Sequence, residues 1–143
     1  MRAEGIVTTR LGLTPLRQID AAAMFSVLDD QRLHVFTGGR PRTLAELHDH
    51  YGKLAAGVSP DGNEDWLNWI VRLRRPKTAI GTVQAGVEDG SANVAWIMAP
   101  LAGSGYAVEA ATAMVAWLAA HDVRSTLLPQ ASRGASGSAR QWK

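Results

Sequence analysis

The chain has 143 residues, 46% of them hydrophobic and 20% charged, which suits one domain built on a single sizeable core. It contains no cysteine, which excludes disulfides, thiolate metal sites and cysteine nucleophiles. The net charge of +2 is scattered, with Arg72, Arg74 and Arg75 the densest group, so no basic stripe of the kind that tracks nucleic acid is present.

Four histidines, His34, His48, His50 and His121, remain as ligands. His48 and His50 are two apart and point in different directions on a helix, so no metal is expected. No run reaches the roughly 18–20 apolar residues that a membrane-spanning helix requires. Met1 to Val7 also lacks the apolar stretch of a secretory signal, and a cytoplasmic protein without membrane partners is expected.

Residues Thr9 to Leu16 alternate loosely and predict a first strand. From Arg17 to Leu28 the apolar residues Ile19, Ala22, Ala23, Val27 and Leu28 recur at helical spacing, and Asp29-Asp30 closes that helix. Arg32 to Arg42 reads as an irregular segment broken by Gly38-Gly39 and Pro41. Thr43, with Glu46 three residues on, has the form of a capping box. The helix it starts places Leu44, Leu47, Tyr51, Leu54 and Ala55 on one side, and Gly57 with Ser59-Pro60-Asp61-Gly62 ends it.

The pattern then changes period. From Trp66 to Arg74, Leu67, Trp69, Val71 and Leu73 face one way and Asn68, Arg72 and Arg74 the other, as in a half-buried strand. Thr78 to Val87 makes the next strand, with Ile80, Thr82 and Gln84 opposite Ala79, Gly81, Val83 and Ala85. Asp89-Gly90 is a strong hairpin signal, and Ala92 to Ala99 completes a meander. A long helix from Gly105 or Tyr106 to His121 and a short strand at Ser125 to Leu128 follow. Strand, two helices, antiparallel meander, helix and strand make an α+β fold: a mixed, mostly antiparallel sheet flanked by helices.

Trp96 to Ala113, WIMAPLAGSGYAVEAATA, carries the chemistry. A strand runs into Pro100, crosses Ala102-Gly103-Ser104-Gly105 and enters a helix. The first turn of a helix leaves backbone N–H groups unpaired and carries partial positive charge, and glycines let a ligand approach the backbone closely. Together they suit a phosphate or diphosphate, although tight turning alone accounts for such glycines in many proteins. No Gly-Lys-Ser/Thr follows, which rules out a Walker loop. A dinucleotide site would need a third glycine and a parallel βαβ unit.

Trp96-Ile97-Met98-Ala99-Pro100 followed by Gly103-Ser104-Gly105-Tyr106-Ala107-Val108-Glu109-Ala110 resembles the signature of the GNAT N-acetyltransferases, most closely the branch with the ribosomal-protein alanine N-acetyltransferases. The likeness extends to Trp69–Arg74, to Ile80-Gly81-Thr82-Val83 and to His121-Asp122-Val123-Arg124. The resemblance implies the acyl-CoA N-acyltransferase fold, with residues 1–128 as the acetyltransferase domain. It implies that acetyl-CoA, as co-substrate, lies against Ile97, Met98, Ala99, Gly103, Ser104, Gly105, Tyr106 and Ala107. Loop amides from Gly103 to Ala107 would hold the diphosphate, and the pantetheine arm would pair with the strand at Ile97, Met98 and Ala99. An N–H near Ile97 or Met98 would bind the acetyl carbonyl. A primary amine, on a small molecule or a protein N-terminus, would receive the acetyl group.

Two departures from the family accompany the likeness. Ala102 stands where the family has glutamine or arginine, and Pro129-Gln130-Ala131-Ser132-Arg133-Gly134 lacks the family's asparagine and serine. Ala131 to Arg140 shows no apolar periodicity, so residues 129–143 are expected to form an irregular or disordered tail, with the final strands missing. The exposed sheet edge this leaves predicts a homodimer.

Glu109, in the first turn, suits the helix dipole better than catalysis, and no catalytic residue is assigned. Glu88, Glu64, Asp65 and His34 are weak candidates for a base. Arg32, His34, Phe36 and Trp69 are candidates for the acceptor pocket. The rival readings are a catalytically silent CoA-binding or scaffold domain of the same fold and a binder of some other phosphate ligand.

Overall fold

The computed structural model describes residues 1–28, 43–99, 105–125 and 136–138, the last by backbone alone. Within them run β1 (Ile6–Val7), β2 (Leu11–Pro15), a 3-10 turn (Gln18–Asp20) and α1 (Ala21–Leu28). Then come α2 (Leu44–Ala55), β3 (Asp65–Leu73), β4 (Ala79–Glu88), β5 (Ser91–Met98), α3 (Tyr106–Ala120), β6 (Arg124–Ser125) and β7 (Ser136–Ser138). One sheet runs in the order β1-β2-β3-β4-β5-β6, with β7 also on β5. All pairs are antiparallel except β5 with β6, and the α+β class holds.

Local chemistry explains the ends of these elements. The Thr43 hydroxyl accepts from the Glu46 amide at 3.1 Å while the Glu46 carboxylate accepts from the Thr43 amide at 2.9 Å, so two otherwise orphaned donors start α2. Asp89 and Gly90, both at positive φ, turn β4 into β5. The predicted first helix is in fact a 3-10 turn and then α1, because the Asp20 carboxylate accepts from the Arg17 amide at 2.8 Å and closes the turn there. The segments Asp29-Asp30 and Arg32 to Arg42, and residues 126–128 of the last predicted strand, lie outside the described residues.

Two apolar layers sandwich the sheet. On one face Leu67, Trp69 and Val71 of β3, Val83, Ala85 and Val87 of β4, and Trp96 and Met98 of β5 pack on Ala110, Ala111, Met114 and Leu118 of α3. Ile70 of β3 packs on the other face with Leu16, Met24, Leu47, Tyr51 and Leu54 from the α1–α2 side. β3 is therefore buried on both faces rather than half-buried, since α1 and α2 cover the side that carries Asn68 and Arg72. Leu44 stays exposed and departs from the predicted face of α2.

Within the segment expected to be irregular, Ser136–Ser138 forms a strand. It pairs with β5 through Ala95↔Ser138, Trp96↔Gly137 and Ile97↔Ser136. Part of the outer edge of β5 is thus covered by a strand from the segment expected to be irregular.

Candidate functional site

β5 forms one wall of the candidate site, and its ladder fixes which amides face its outer edge. Ala99 donates its N–H to the Ile80 carbonyl at 2.8 Å. Backbone groups alternate between the two edges of a strand, so the N–H of Ile97 also points at β4. Those of Trp96 and Met98 point outward. At that outer edge β6 pairs only with Ser91 and Ala92, in parallel, and β7 with Ala95 to Ile97. The outward N–H of Met98 lies just past the last β7 partner. Of Ile97 and Met98, Met98 is the one that turns its N–H to the outer edge.

Gly81 sits opposite Met98. A Cβ there would collide with the Ile97 carbonyl, the Met98 thioether and the Met98 Cα, so only glycine lets β4 approach the working end of β5 this closely. Its presence in the resembling stretch was visible; its reason was not, because the collision comes from another strand.

Gly105 caps α3 at φ 79° with no side-chain capping bond. This left-handed backbone suits glycine, and it leaves the amides of Tyr106 and Ala107 at the open end of the helix. Arg10 reaches the same end from the β1–β2 connection. Its guanidinium lies 4.3 Å from the Tyr106 ring centroid, and Nη2 would be 3.7 Å from a Cβ placed on Gly105. The structure thus brings together Ile97, Met98, Ala99, Gly105, Tyr106 and Ala107 at one end of the sheet and α3. Gly103 and Ser104 lie outside the described residues.

The family model described as the acetyltransferase (GNAT) domain matches residues 10–140. The chain belongs to the GNAT acetyltransferase family. Solved structures agree on the fold of this GNAT chain. A GNAT-family acetyltransferase from Bacillus anthracis aligns over 91% of this chain and 77% of its own, with 17% identity and a TM-score of 0.69. A ribosomal-protein-serine acetyltransferase-like structure from Vibrio cholerae covers 85% and 70%, with 19% identity and a TM-score of 0.67. AAC(6')-Ib in complex with Parmomycin and AcetylCoA covers 84% and 75%, with 19% identity and a TM-score of 0.64. No match is found among the curated proteins.

Glu109 of this GNAT domain is fully committed to structure. Its carboxylate accepts from the Thr8 hydroxyl at 2.5 Å, the Arg10 amide at 3.0 Å and Arg10 Nε at 2.6 Å. Desolvation alone would raise its pKa, but the bonds from Thr8 and Arg10, with the Arg10 charge, outweigh it and hold the carboxyl below its ordinary value. It is an anchor for the β1–β2 connection, not a base.

Three base candidates lie at the opposite end of β5 from Met98. Glu88 pairs with Ser91 and Asp65 with Val87, whereas Met98 pairs with Gly81. At ~3.4 Å per residue, the two ends of β5 stand about 24 Å apart, beyond direct or single-water proton transfer. Glu64, beside Asp65, also accepts from Trp66 Nε1 at 2.8 Å. Trp69, a candidate for the acceptor pocket, does not face α1 and α2. It points to the α3 side, fully buried, and donates its indole N–H to the Glu4 carbonyl at 2.7 Å. His34, Arg32 and Phe36 lie outside the described residues.

Proposed function

We infer that this GNAT domain transfers an acetyl group from acetyl-CoA to a primary amine of a small molecule or a protein N-terminus. The observation that carries this reading is the outward N–H of Met98, set at the strand edge that leads to the open end of α3. In this reading the pantetheine arm pairs with β5 from Met98 onward. The diphosphate rests on amides from Gly103 to Ala107, with the Arg10 guanidinium, paired to Glu109, beside the start of α3.

The acetyl carbonyl accepts the Met98 N–H, which strengthens as the attacked carbon becomes tetrahedral and its oxygen gains charge. The amine nitrogen forms the new C–N bond and gives up a proton, the C–S bond breaks, and the CoA sulfur takes up a proton and leaves as the thiol. Holding both reactants on a rigid sheet supplies much of the acceleration. We place this reaction in the cytoplasm. We also take the chain to work as a homodimer through the outer edge of β6, which among the described residues has no strand partner. A monomer at micromolar concentration in sedimentation would contradict the dimer.

A second reading has its own support. β7 already pairs with Ala95 to Ile97 on the cofactor edge, which favours a catalytically silent domain if the strand is never displaced. Calorimetric titration with acetyl-CoA, followed by free-thiol release over an amine panel, separates the two. The enzyme binds and turns over; the silent domain binds without turnover. Gly105→Pro removes an amide and cannot adopt φ 79°, so acetyl-CoA binding is expected to be lost. Unchanged affinity would refute the site.

A further inference from the structure

Two strands from the C-terminal side share the outer edge of β5. β6 runs parallel to it at Ser91 and Ala92, and β7 antiparallel at Ala95 to Ile97. The N–H groups of Ala95 and Ile97 point at β4, and that of Trp96 points outward. Of the three register pairs with β7, Trp96↔Gly137 is therefore the one that exchanges backbone hydrogen bonds.

β7 is held weakly. It is three residues long, Ser-Gly-Ser, and a glycine, disfavoured in strands, occupies its bonded position. Among the described residues it pairs with β5 alone. The inner edge of β5 is held by β4 through eight register pairs, Gly81↔Met98 to Glu88↔Ser91. β5 thus keeps its place when β7 leaves. Residues 126–135 join β6 to β7, and a tether of that length keeps the strand at an effective concentration of about millimolar, so it returns readily.

β7 also ends at a telling point. Ser136 stands opposite Ile97, one residue short of the outward N–H of Met98, and one residue spans only about 3.4 Å of strand. An acetyl carbonyl on that N–H carries its thioester arm to one side. On the other side it needs space for the methyl group and the attacking amine, and β7 fills that space. We propose that β7 is an autoinhibitory strand, which competes with the acetyl-thioester end of acetyl-CoA for the outer edge of β5 and is displaced when the cofactor binds. This rests on the acetyltransferase reading and adds a regulatory device to the same site. The apparent Kd for acetyl-CoA is then the intrinsic value divided by the fraction of molecules with the edge free.

The test locks and unlocks the strand in the full chain. Ala95 and Ser138 are register partners of the non-hydrogen-bonded kind, whose Cα atoms lie about 4.5 Å apart, within reach of a disulfide. The chain has no cysteine of its own, so the double variant Ala95→Cys, Ser138→Cys can form one bridge only. Calorimetric titration with acetyl-CoA is expected to show at least about 100-fold weaker binding after oxidation, restored by reduction. Gly137→Pro removes the N–H that bonds to Trp96 and is expected to tighten binding about 10-fold over wild type, a gain that mere damage to the fold does not produce. Gly137→Pro decides alone if the double variant does not fold. Failure of the folded double variant to form the bridge, equal affinity of its oxidised and reduced forms, or unchanged or weaker binding by Gly137→Pro would overturn the proposal while leaving acetyl-CoA binding intact. If neither wild type nor any variant binds acetyl-CoA, the acetyltransferase reading falls, and this role with it.

Discussion

The two faces of the sheet are built to different rules. Toward α3 the contact is wholly apolar: Trp69, Val71, Val83, Trp96 and Met98 meet Ala110, Ala111, Met114 and Leu118. Toward α1 and α2 an apolar layer of similar burial is interrupted by Asn68, Thr82 and Gln84. Small alanines on α3 bring the helix close to the sheet, which favours close packing. The other face keeps polar groups where packing alone would discard them. One face is apolar throughout, and the other holds buried polar side chains within its apolar layer.

Substitutions sharpen that contrast. The largest loss is expected at Trp69, which is fully buried and edge-on to Trp117 with ring centroids 5.5 Å apart. Trp69→Ala should cost about 3–5 kcal/mol by denaturant unfolding, whereas a leucine at Asn68 should cost nothing. If the Asn68 variant loses as much, the faces are equivalent and the contrast fails.

A smaller effect is expected at Gly81, where strand spacing rather than face decides. Gly81→Ala should destabilise by about 1–3 kcal/mol and also weaken acetyl-CoA binding, because β5 must move at Met98. A stability loss with unchanged affinity would separate Gly81 from the site.

The smallest effect, about 1–2 kcal/mol, is expected for Glu109→Gln, which weakens charge-assisted bonds to Thr8 and Arg10. The folded-state pKa is lowered. The carboxylate's contribution is therefore complete above the ordinary glutamate value and lost as pH falls through the lower, folded value. Wild type and variant should differ at pH 7 and converge in acid; a gap that persists unchanged in acid would point to packing instead.

Much of the fold was legible because its signals are local. Period-two alternation located β3 to β5, Thr43 and Glu46 marked the start of α2, and Asp89-Gly90 marked the hairpin. The strand-to-helix junction at Gly105 was legible for the same reason. What the sequence hid depends on distant partners. Arg10 and Glu109 meet across 99 residues, and neither spacing nor composition announces that pair.

Asn68 read as the outer side of a half-buried strand because only the docking of α1 and α2 buries it. β1 and β7, two and three residues long, carry no periodicity and exist only through the strands they join. Glu88, Glu64 and Asp65 were plausible bases until the register placed them a strand's length from Met98.

Backbone amide NMR during an acetyl-CoA titration tests the central claim most directly. The account predicts that the amides of Met98, Gly105, Tyr106 and Ala107 shift together and saturate with one affinity, while Ile97, bonded toward β4, responds less. Saturable binding that leaves those four amides unmoved would contradict it.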